Sequence, residues 1–336
     1  MNYNKLSAFL LLVFVTIYSC TKDDNPAPIP ITEPESMEEP MEMPDSTETA
    51  MEVADTMEEV TIPILPLSEL DDQSNPNGWV LNEEISDEFE AEELDETKWL
   101  IQGRDGVYQS NFIGRAPSQF STENVRLEEG KLKLETKWDS DFNFSDKVQD
   151  YGNGTSYKYE NITTAAVISK KLFQYGYMEI KCKVADASIT SSFWTTGNQS
   201  ELDIFEFIGK PKQSHKKHLE KEYKFSIHDW SRSVGGKTVW TDKVDLDWRV
   251  ADGFHIYGCD WSEGGLRFFA DGQLIRSATI EEMEAEATEH ANGSPWVLTK
   301  PLRVWVDSET FPWHGLPVME DLPVDFEIEY IRVWEN

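Results

Sequence analysis

The chain has 336 residues, of which 63 are acidic and 30 are basic, giving a formal net charge of −33 at pH 7. A charge of this sign and size disfavours strongly anionic polymers at long range, and we expect no nucleic-acid partner. The three cysteines decide little about the fold.

The N-terminal segment has the features of a signal peptide. Lys5 precedes the apolar run 9–15, which has the length of a signal-peptide core and is too short to span a bilayer as a helix. Residues 17–20 resemble a bacterial lipobox, which implies that residues 1–19 are removed and that Cys20 carries a lipid. Residues 21–24 resemble the acidic tag of surface lipoproteins, so we expect an outer-membrane lipoprotein exposed at the cell surface. An ordinary secretory signal is the alternative.

Residues 20–72 are predicted to be a disordered linker. Proline recurs, and aromatic residues are absent after Cys20. The segment contains sixteen acidic residues and one basic residue, Lys22, so it supplies 15 of the 33 net negative charges. Such a segment cannot bury a core and stays extended in solvent. Its expected purpose is to hold a folded domain away from the membrane.

Residues 73–336 are predicted to form one all-β domain with a single core. Residues 131–135 and 177–184 alternate as half-buried strands do, and 266–275 contains an Asp-Gly turn between two strands. Only 279–290 has the pattern of a helix. Many short strands separated by turns indicate a two-sheet sandwich.

The most informative segment is 201–206, where three carboxylates lie in an otherwise apolar stretch. Burying that much charge is costly unless the acids have strong partners or shifted pKa values. The strand period of two places Glu201 and Asp203 on one face and leaves Glu206 out of step. We predict a β-bulge at Ile204-Phe205 that returns Glu206 to the shared face.

Together with other segments, this pattern resembles glycoside hydrolase family 16. Residues 86–89, 124–132, 169–179 and 330–334 resemble that family's framework strands and occur in its order. The resemblance implies a jelly-roll β-sandwich whose concave sheet forms an open cleft, which suits attack within a polymer. Residues 114–120 and 185–194 look more like the marine galactanases (agarases, porphyranases and κ-carrageenases) than the β-1,3-glucanases.

The resemblance also implies roles for the three acids. Glu201 would be the nucleophile, Glu206 the general acid/base, and Asp203 the residue between them that positions and tunes the nucleophile. Such an enzyme retains anomeric configuration, with the two catalytic carboxyl groups roughly 5 Å apart.

Six further residues are candidate substrate contacts. Tryptophans in loops can stack on sugar rings, although core packing explains them about equally well. Arg115 can contact sugar hydroxyls or a sulfate oxygen through its planar fork. The six candidates are Trp194, Trp230, Trp313, Arg115, His228 and Glu309. A cluster of four lysines and two histidines at 210–218 is either a sulfate-binding loop or a solvated surface.

No cofactor is required by this chemistry, and a structural calcium is the one metal that the resemblance implies. Its ligands would map to the Gly130 carbonyl and to Glu329, where aspartate is more usual, and it would stabilise rather than catalyse. Cys182 and Cys259 could form a disulfide or remain two buried thiols. We expect a monomer whose partner is its polysaccharide substrate.

Three functions remain open from the sequence. The first is a retaining endo-hydrolase of β-galactosidic linkages in red-algal galactans of the agar, porphyran or carrageenan type. The second is a β-1,3-glucanase with the same catalytic acids. The third is a surface glycan-binding lipoprotein without turnover, which the three intact acids disfavour.

Overall fold

The computed structural model describes residues 79–152, 154–231 and 236–335, and its regular structure consists mostly of β-strands. The signal peptide, Cys20 and the linker 20–72 lie outside the described residues and stay predictions, as does the domain start at residue 73. No helix in the described ranges combines the length and the apolar character that a membrane crossing requires.

The regular structure of the described residues consists of nineteen strands, one short α-helix and six 3₁₀ helices. The strands are β1 Val80–Leu81, β2 Trp99–Ile101, β3 Ser118–Phe120, β4 Val125–Leu127, β5 Leu132–Trp138, β6 Val148–Asp150, β7 Ser156–Lys158, β8 Ile162–Thr164, β9 Ala166–Ser169, β10 Gly176–Lys183, β11 Thr190–Gly197, β12 Ser200–Ile208, β13 Glu222–Asp229, β14 Lys237–Asp245, β15 His255–Ser262, β16 Gly265–Ala270, β17 Gln273–Thr279, β18 Arg303–Asp307 and β19 Val324–Glu335. The α-helix α1 is Ile280–Ala285, and the 3₁₀ helices are Arg104–Gly106, Gln109–Asn111, Thr122–Asn124, Ser214–Glu220, Pro312–His314 and Met319–Asp321.

The strands form two large sheets. The outer sheet has the order β17-β16-β15-β10-β19-β5-β8-β3, with β1 paired to β19 and β4 paired to β5. The cleft sheet has the order β14-β13-β12-β11-β18-β9-β2, and β6 and β7 form a separate hairpin. Neighbouring strands run antiparallel, except for the parallel pair β3 and β8.

The core lies between the two sheets and is rich in aromatic rings. Phe225 of the cleft sheet stacks on Phe268 of the outer sheet, with ring centroids 3.9 Å apart and planes 7° apart. Phe207 contacts Tyr257 across the same interface at 4.8 Å. Offset and edge-on rings of this kind fill the space between sheets without voids. The expected all-β jelly-roll sandwich is confirmed.

The strands and the tight turn predicted from sequence are present. Segments 131–135 and 177–184 lie in β5 and β10. The turn between β16 and β17 places Asp271 and Gly272 at φ values of 45° and 77°. Two successive positive φ angles are typical of a two-residue hairpin turn, in which the second position favours glycine.

The helix predicted over 279–290 is shorter than expected. Thr279 caps it through a reciprocal hydrogen-bond pair with Glu282, as the sequence favours, but the helix ends at Ala285. The reason is tertiary, because Glu286 accepts a hydrogen bond from Trp240 and Thr288 N–H donates to the carbonyl of Val239. Contacts with β14 therefore replace the next helical turn.

The two cysteines in the domain are free and buried. Cys182 of β10 lies opposite His255, whereas Cys259 of β15 lies opposite Met178. Four residue positions along a strand amount to about 13 Å, which is too far for a disulfide. Of the two alternatives, the structure supports free thiols.

The two ends of the described chain meet in the outer sheet. Strand β1 pairs with the last strand, with Val80 opposite Glu335 and Leu81 opposite Trp334. The acidic residues of interest lie in the other sheet, on β12. The chain therefore enters and leaves the domain on the sheet that does not carry them.

Candidate active site

Strand β12 presents all three acidic residues to one cavity of the cleft sheet. Its register against β11 shifts between the pairs Phe193–Phe205 and Trp194–Asp203, so Ile204 is an extra residue in the ladder. This is the predicted bulge. Glu201, Asp203 and Glu206 consequently line the same cavity of about 580 Å³.

The apolar side chains on the opposite face of β12 pack in the core and hold the strand in place. Leu202, Ile204 and Phe205 are all fully buried. The Phe205 ring packs against Phe207 at 4.3 Å and against Tyr257 of the outer sheet at 5.2 Å. A strand held by close packing on one side keeps its polar side chains in fixed positions on the other.

Burial raises the pKa of both Glu201 and Glu206, and the carboxylate of Asp203 raises both further. The charge of His228 lowers the pKa of Glu201 in part, as does Trp230, whose Nε1–H donates to Glu201 Oε2 at 2.9 Å. The pair of glutamates therefore keeps a proton at pH values where an exposed glutamate would be ionised. An indole N–H can only donate, so this hydrogen bond favours the ionised form of Glu201.

Asp203 is held by His228 from the neighbouring strand β13. His228 Nε2 lies 2.9 Å from Asp203 Oδ2, and His228 Nδ1 lies 3.2 Å from the hydroxyl of Thr238. Burial alone would lower the pKa of His228, but the charge and hydrogen bond of Asp203, together with the charges of Glu201 and Glu206, outweigh burial and raise that pKa to about 9. The imidazolium thus supplies a positive charge close to the carboxyl groups of Asp203, Glu201 and Glu206. Its predicted substrate contact stays a prediction.

Trp194 and Trp230 both line the same cavity. Trp230 is 51% exposed, as a sugar platform must be. Trp194 is half-buried, packs against Trp305 with ring centroids 4.6 Å apart and planes tilted by 36°, and donates from Nε1 to Asp307. Its partners make it both a wall of the cavity and part of the sheet packing.

Arg115 and Glu309 form an ion pair at the edge of the cavity. Arg115 Nε lies 3.2 Å from Glu309 Oε2, and Glu309 is 4% exposed. Burial would lower the pKa of Arg115, but Glu309 and Glu206 raise it, so the guanidinium stays charged. Its remaining N–H groups are the donors available to a ligand. Both residues line the cavity with Glu201, Asp203 and Glu206.

Trp313 lies at a different position from the other two tryptophans. It is 44% exposed and packs on Phe311 at 4.5 Å and on Tyr151 at 5.9 Å. It lines a second cavity, which meets the first at Glu206. The three tryptophans therefore lie at more than one place along the cleft.

The sequence reasoning missed two cavity residues on β18, Trp305 and Asp307. Burial raises the pKa of Asp307 well above its usual range, and Glu309 adds to the shift. The signal was present, since Trp305 and Asp307 alternate within β18 and Glu309 follows in step beyond its end, but only Glu309 was selected. The missing information was that β18 pairs with β11, which lies next to β12.

The cavity wall also includes residues of β6, of β11 and of loops that were not among the six candidate substrate contacts. Together with the residues above, the lining comprises Ser110, Phe112, Gln149, Thr196, Gly197, Asn198 and Gln199. They come from segments far apart in sequence, so only the folded chain brings them together.

Two groups of side chains bear on metal binding. Glu201, Asp203 and His228 offer ligand atoms within 4.8 Å of one another, but the protonated His228 lacks the free lone pair that a metal needs. Glu329 Oε2 lies 3.1 Å from Lys181 Nζ, so this carboxylate already has a cation beside it. That pairing fits calcium poorly, and calcium at Gly130 and Glu329 stays a prediction.

The family is decided by comparison with known proteins. A family model described as "Beta-porphyranase A-D, GH16 domain" matches residues 79–336. The chain belongs to glycoside hydrolase family 16. It is 28% identical over 261 residues to Beta-porphyranase E of Zobellia galactanivorans, covering 74% of this chain and 83% of that relative.

Two further family 16 proteins are similar. Beta-agarase A of Zobellia galactanivorans is 28% identical over 217 residues, which cover 59% of this chain and 37% of the agarase. The crystal structure of a β-porphyranase from the gut bacterium Bacteroides plebeius superposes with a TM-score of 0.61 at 24% identity, covering 76% of this chain and 91% of that one. The protein is therefore an endo-acting glycoside hydrolase of family 16, and the resemblance seen in the sequence is confirmed.

Proposed function

We propose that this protein is a retaining endo-hydrolase of β-galactosidic linkages in red-algal galactans of the agar or porphyran type. The observation that carries the proposal is the placement of Glu201, Asp203 and Glu206 on one face of β12, at one cavity. The names of the similar family 16 proteins support this substrate class.

In the first step, the sugar to be transferred lies over Glu201 with its anomeric carbon facing the carboxylate. Burial raises the pKa of both glutamates, so the pair keeps a proton; with that proton on Glu206, Glu206 gives it to the glycosidic oxygen while ionised Glu201 attacks the anomeric carbon. The C–O bond to the leaving sugar breaks, and a covalent glycosyl-enzyme forms. Trp230 and His228 stabilise the charge of Glu201 before attack.

In the second step, water replaces the leaving sugar. Glu206, now ionised, removes a proton from that water, which attacks the same anomeric carbon and releases Glu201. Two inversions give net retention. Asp203 keeps its place through His228 and holds negative charge near the anomeric centre as positive charge develops there.

The test is product release by residues 73–336 on agarose, porphyran, κ-carrageenan and laminarin, each compared with Glu201→Ser. We expect oligosaccharides from agarose or porphyran with the β configuration at the new reducing end in the first seconds of reaction. Cleavage of laminarin alone would make the protein a β-1,3-glucanase. An initial α product would contradict the retaining mechanism.

Glu201→Ser should lower turnover by roughly 10⁴-fold or more, since nucleophile removal leaves only binding and electrostatic stabilisation. The side chain faces the cavity rather than the core, so thermal unfolding should change little. Retained binding of the substrate by this variant is the control. Residual activity within tenfold of wild type would remove Glu201 from the role of nucleophile.

We further propose that Cys20 is lipidated and holds the enzyme at the outer membrane. The lipobox-like residues before Cys20 and the acidic segment after it support this. Labelled palmitate should be incorporated into the full-length chain and lost in Cys20→Ala. An unlabelled chain found in the culture medium would indicate an ordinary secretory signal.

A further inference from the structure

The hairpin formed by β6 and β7 is separate from both large sheets. Among the strands that the structure describes, these two pair only with each other. Gln149 of β6 lies opposite Tyr157 of β7. Tyr151 and Tyr159 each follow two residues later, and the strand period of two places all four side chains on one face. The position of the hairpin therefore depends on what this face contacts.

The face of the hairpin binds the backbone of the loop 114–117, which contains Arg115. Gln149 Oε1 accepts a hydrogen bond from Ala116 N–H at 2.9 Å. The Tyr151 hydroxyl donates to the carbonyl of the same Ala116 at 2.6 Å. Both backbone groups of the residue after Arg115 are thus satisfied by the hairpin, which fixes the loop at that point.

The chain that leaves the hairpin binds the two ends of the same loop. The Tyr159 hydroxyl donates to the Gly114 carbonyl at 3.0 Å, and Glu160 N–H donates to the Pro117 carbonyl at 2.9 Å. Hydrogen bonds from the hairpin segment therefore lie on both sides of Arg115. Such bonding gives the side chain of this one residue a fixed origin.

The hairpin also supports an aromatic ring that the guanidinium of Arg115 contacts. Arg115 Cζ lies 5.5 Å from the ring centroid of Trp313 and 4.9 Å from that of Phe311. The Tyr151 ring packs edge-on against Trp313, with centroids 5.9 Å apart. Tyr151 therefore contacts both the backbone beside Arg115 and a ring at the end of its side chain.

The guanidinium that is held in this way lies close to the proposed general acid. Arg115 lines the first cavity with Glu206. Burial and Asp203 raise the pKa of Glu206, and the charge of Arg115 lowers it in part. The other charged or titratable groups around Glu206 all lie on strands of the cleft sheet; they are Glu201, Asp307, His228 and Lys224. Arg115 is thus the charge in this group that a loop holds in place.

We infer that the β6–β7 hairpin positions Arg115 beside Glu206 for the reaction, with Gln149 and Tyr151 as the positioning residues. Without their two bonds to the loop, the backbone at Arg115 gains freedom and the guanidinium moves away from Glu206. The inference rests on the proposed role of Glu206 as general acid, and it holds for any polysaccharide that the enzyme cleaves.

The first test measures the pKa of Glu206 without any substrate. In the Glu201→Ser background, the carboxyl carbon of Glu206 is titrated by NMR in protein labelled with ¹³C-glutamate, and its signal is assigned by its loss in Glu206→Gln. The double replacement Gln149→Leu with Tyr151→Phe removes both hydrogen bonds to Ala116. We expect the pKa of Glu206 to rise by about half a unit, since the guanidinium is then farther away. An unchanged pKa would overturn the inference.

Two controls separate positioning from a general loosening of the hairpin. Tyr157→Phe is the matched variant, because Tyr157 packs against Tyr151 but forms no hydrogen bond with the loop 114–117 among the described residues. It should leave the pKa of Glu206 unchanged. In the Arg115→Met background, the double replacement should have no further effect, since the charge that it displaces is gone. An equal shift in either control would contradict the inference.

Tyr151→Phe alone is the milder variant if the double replacement does not fold. It removes one of the two bonds to Ala116 and keeps the ring against Trp313. The pKa of Glu206 should then rise by a smaller amount. A pKa equal to that of the Glu201→Ser parent would count against the inference.

The second test uses turnover with Glu201 intact. The basic limb of the pH profile of kcat/KM reports the proton that the pair of glutamates holds. Tyr151→Phe should move this limb to higher pH and lower kcat/KM at the optimum by about fivefold, whereas Tyr157→Phe should do neither. A loss of kcat/KM with an unmoved limb would mean a merely structural role and overturn the inference.

The two tests also separate this inference from the proposed function. If wild type cleaves no galactan, the proposed hydrolysis is refuted, while the NMR titration still decides whether the hairpin positions Arg115. If wild type cleaves a galactan and the titration shows no shift, the hydrolysis stands and the positioning role is refuted.

Discussion

At the scale of single residues, the site depends on a cation that lies beside Asp203. His228 bonds to Asp203 at 2.9 Å, and its raised pKa keeps it charged. That charge lowers the pKa of both Glu201 and Glu206, which burial raises. His228 is thus a positioning residue that acts through its neighbours.

The replacement His228→Gln removes this charge. The pKa of Glu201 should rise, so the acidic limb of the pH profile of kcat/KM should move to higher pH by about one unit. Steady-state kinetics on a soluble galactan oligosaccharide between pH 4 and 9 measure the shift. His255→Gln is the control, because His255 pairs with Asp271 in the outer sheet. An unmoved limb would show that His228 does not tune the nucleophile.

The same residue makes a prediction about stability. Its pKa is raised on folding, so its contribution is complete below about pH 6.5, the usual value for histidine, and is lost as the pH rises through about 9. The free energy of unfolding of wild type minus that of His228→Gln should therefore fall over this interval. Urea titrations at several pH values measure it, and a difference that grows with pH would contradict the assignment.

The site residues that could be predicted from sequence depend on local spacing, whereas those that could not depend on long-range strand pairing. Glu201, Asp203 and Glu206 were predictable because their spacing within one strand determines their face once a bulge is allowed. Asp307 was not selected, because its place beside the catalytic strand depends on the long-range pairing of β18 with β11. Local periodicity reports which face a side chain takes, and only the tertiary fold reports its neighbours.

At the scale of elements, the bulge in β12 determines the direction of Glu206. Insertion of one alanine after Phe205 should turn Glu206 toward the core and Phe207 toward the cavity. Deletion of Ile204 should instead leave a plain alternating strand with all three acids on the same face. The two variants change strand length equally and so control for each other.

We expect the insertion variant to lose activity as Glu201→Ser does and to lose about 3 kcal/mol or more in free energy of unfolding, since it places a carboxyl in the core and removes a buried ring. The deletion variant should unfold at a higher temperature than the insertion variant. Calorimetry and oligosaccharide release measure both effects. Equal stability of the two variants would mean that the strand absorbs an extra residue without turning Glu206.

Helix α1 shows the same division between local and tertiary information. Its start was predictable from Thr279 and Glu282, which form a capping box three residues apart. Its end was not, because Glu286 is engaged by Trp240 and Arg276 from β14 and β17. The jelly roll itself followed from strand periodicity and the family resemblance, whereas sheet order did not.

At the scale of the whole molecule, charge opposes a sulfated galactan at long range. The chain carries a net charge of −33, whereas the lysines of the second cavity lie among Glu206, Glu222 and Asp242. Salt screens the distant repulsion more than contacts within a cavity. Raising the salt from about 10 to 150 mM should therefore raise kcat/KM on a sulfated galactan.

The same change in salt should leave kcat/KM on unsulfated agarose oligosaccharides nearly constant, because they carry no charge. Initial rates on the two substrates at matched pH provide the comparison. A fall with salt on the sulfated substrate alone would show that the local attraction of the cavity outweighs the repulsion by the rest of the molecule.

The pairing of the first strand with the last has a practical consequence. Val80 and Glu335 lie opposite each other in an antiparallel ladder, where facing Cα atoms are about 5 Å apart. If this domain were inserted into a surface loop of another protein, the two ends of that loop would thus need to be separated by only about one strand spacing. Because both ends emerge from the outer sheet, the inserted domain would keep its cleft accessible, which makes it suitable as an internal cassette in a designed fusion.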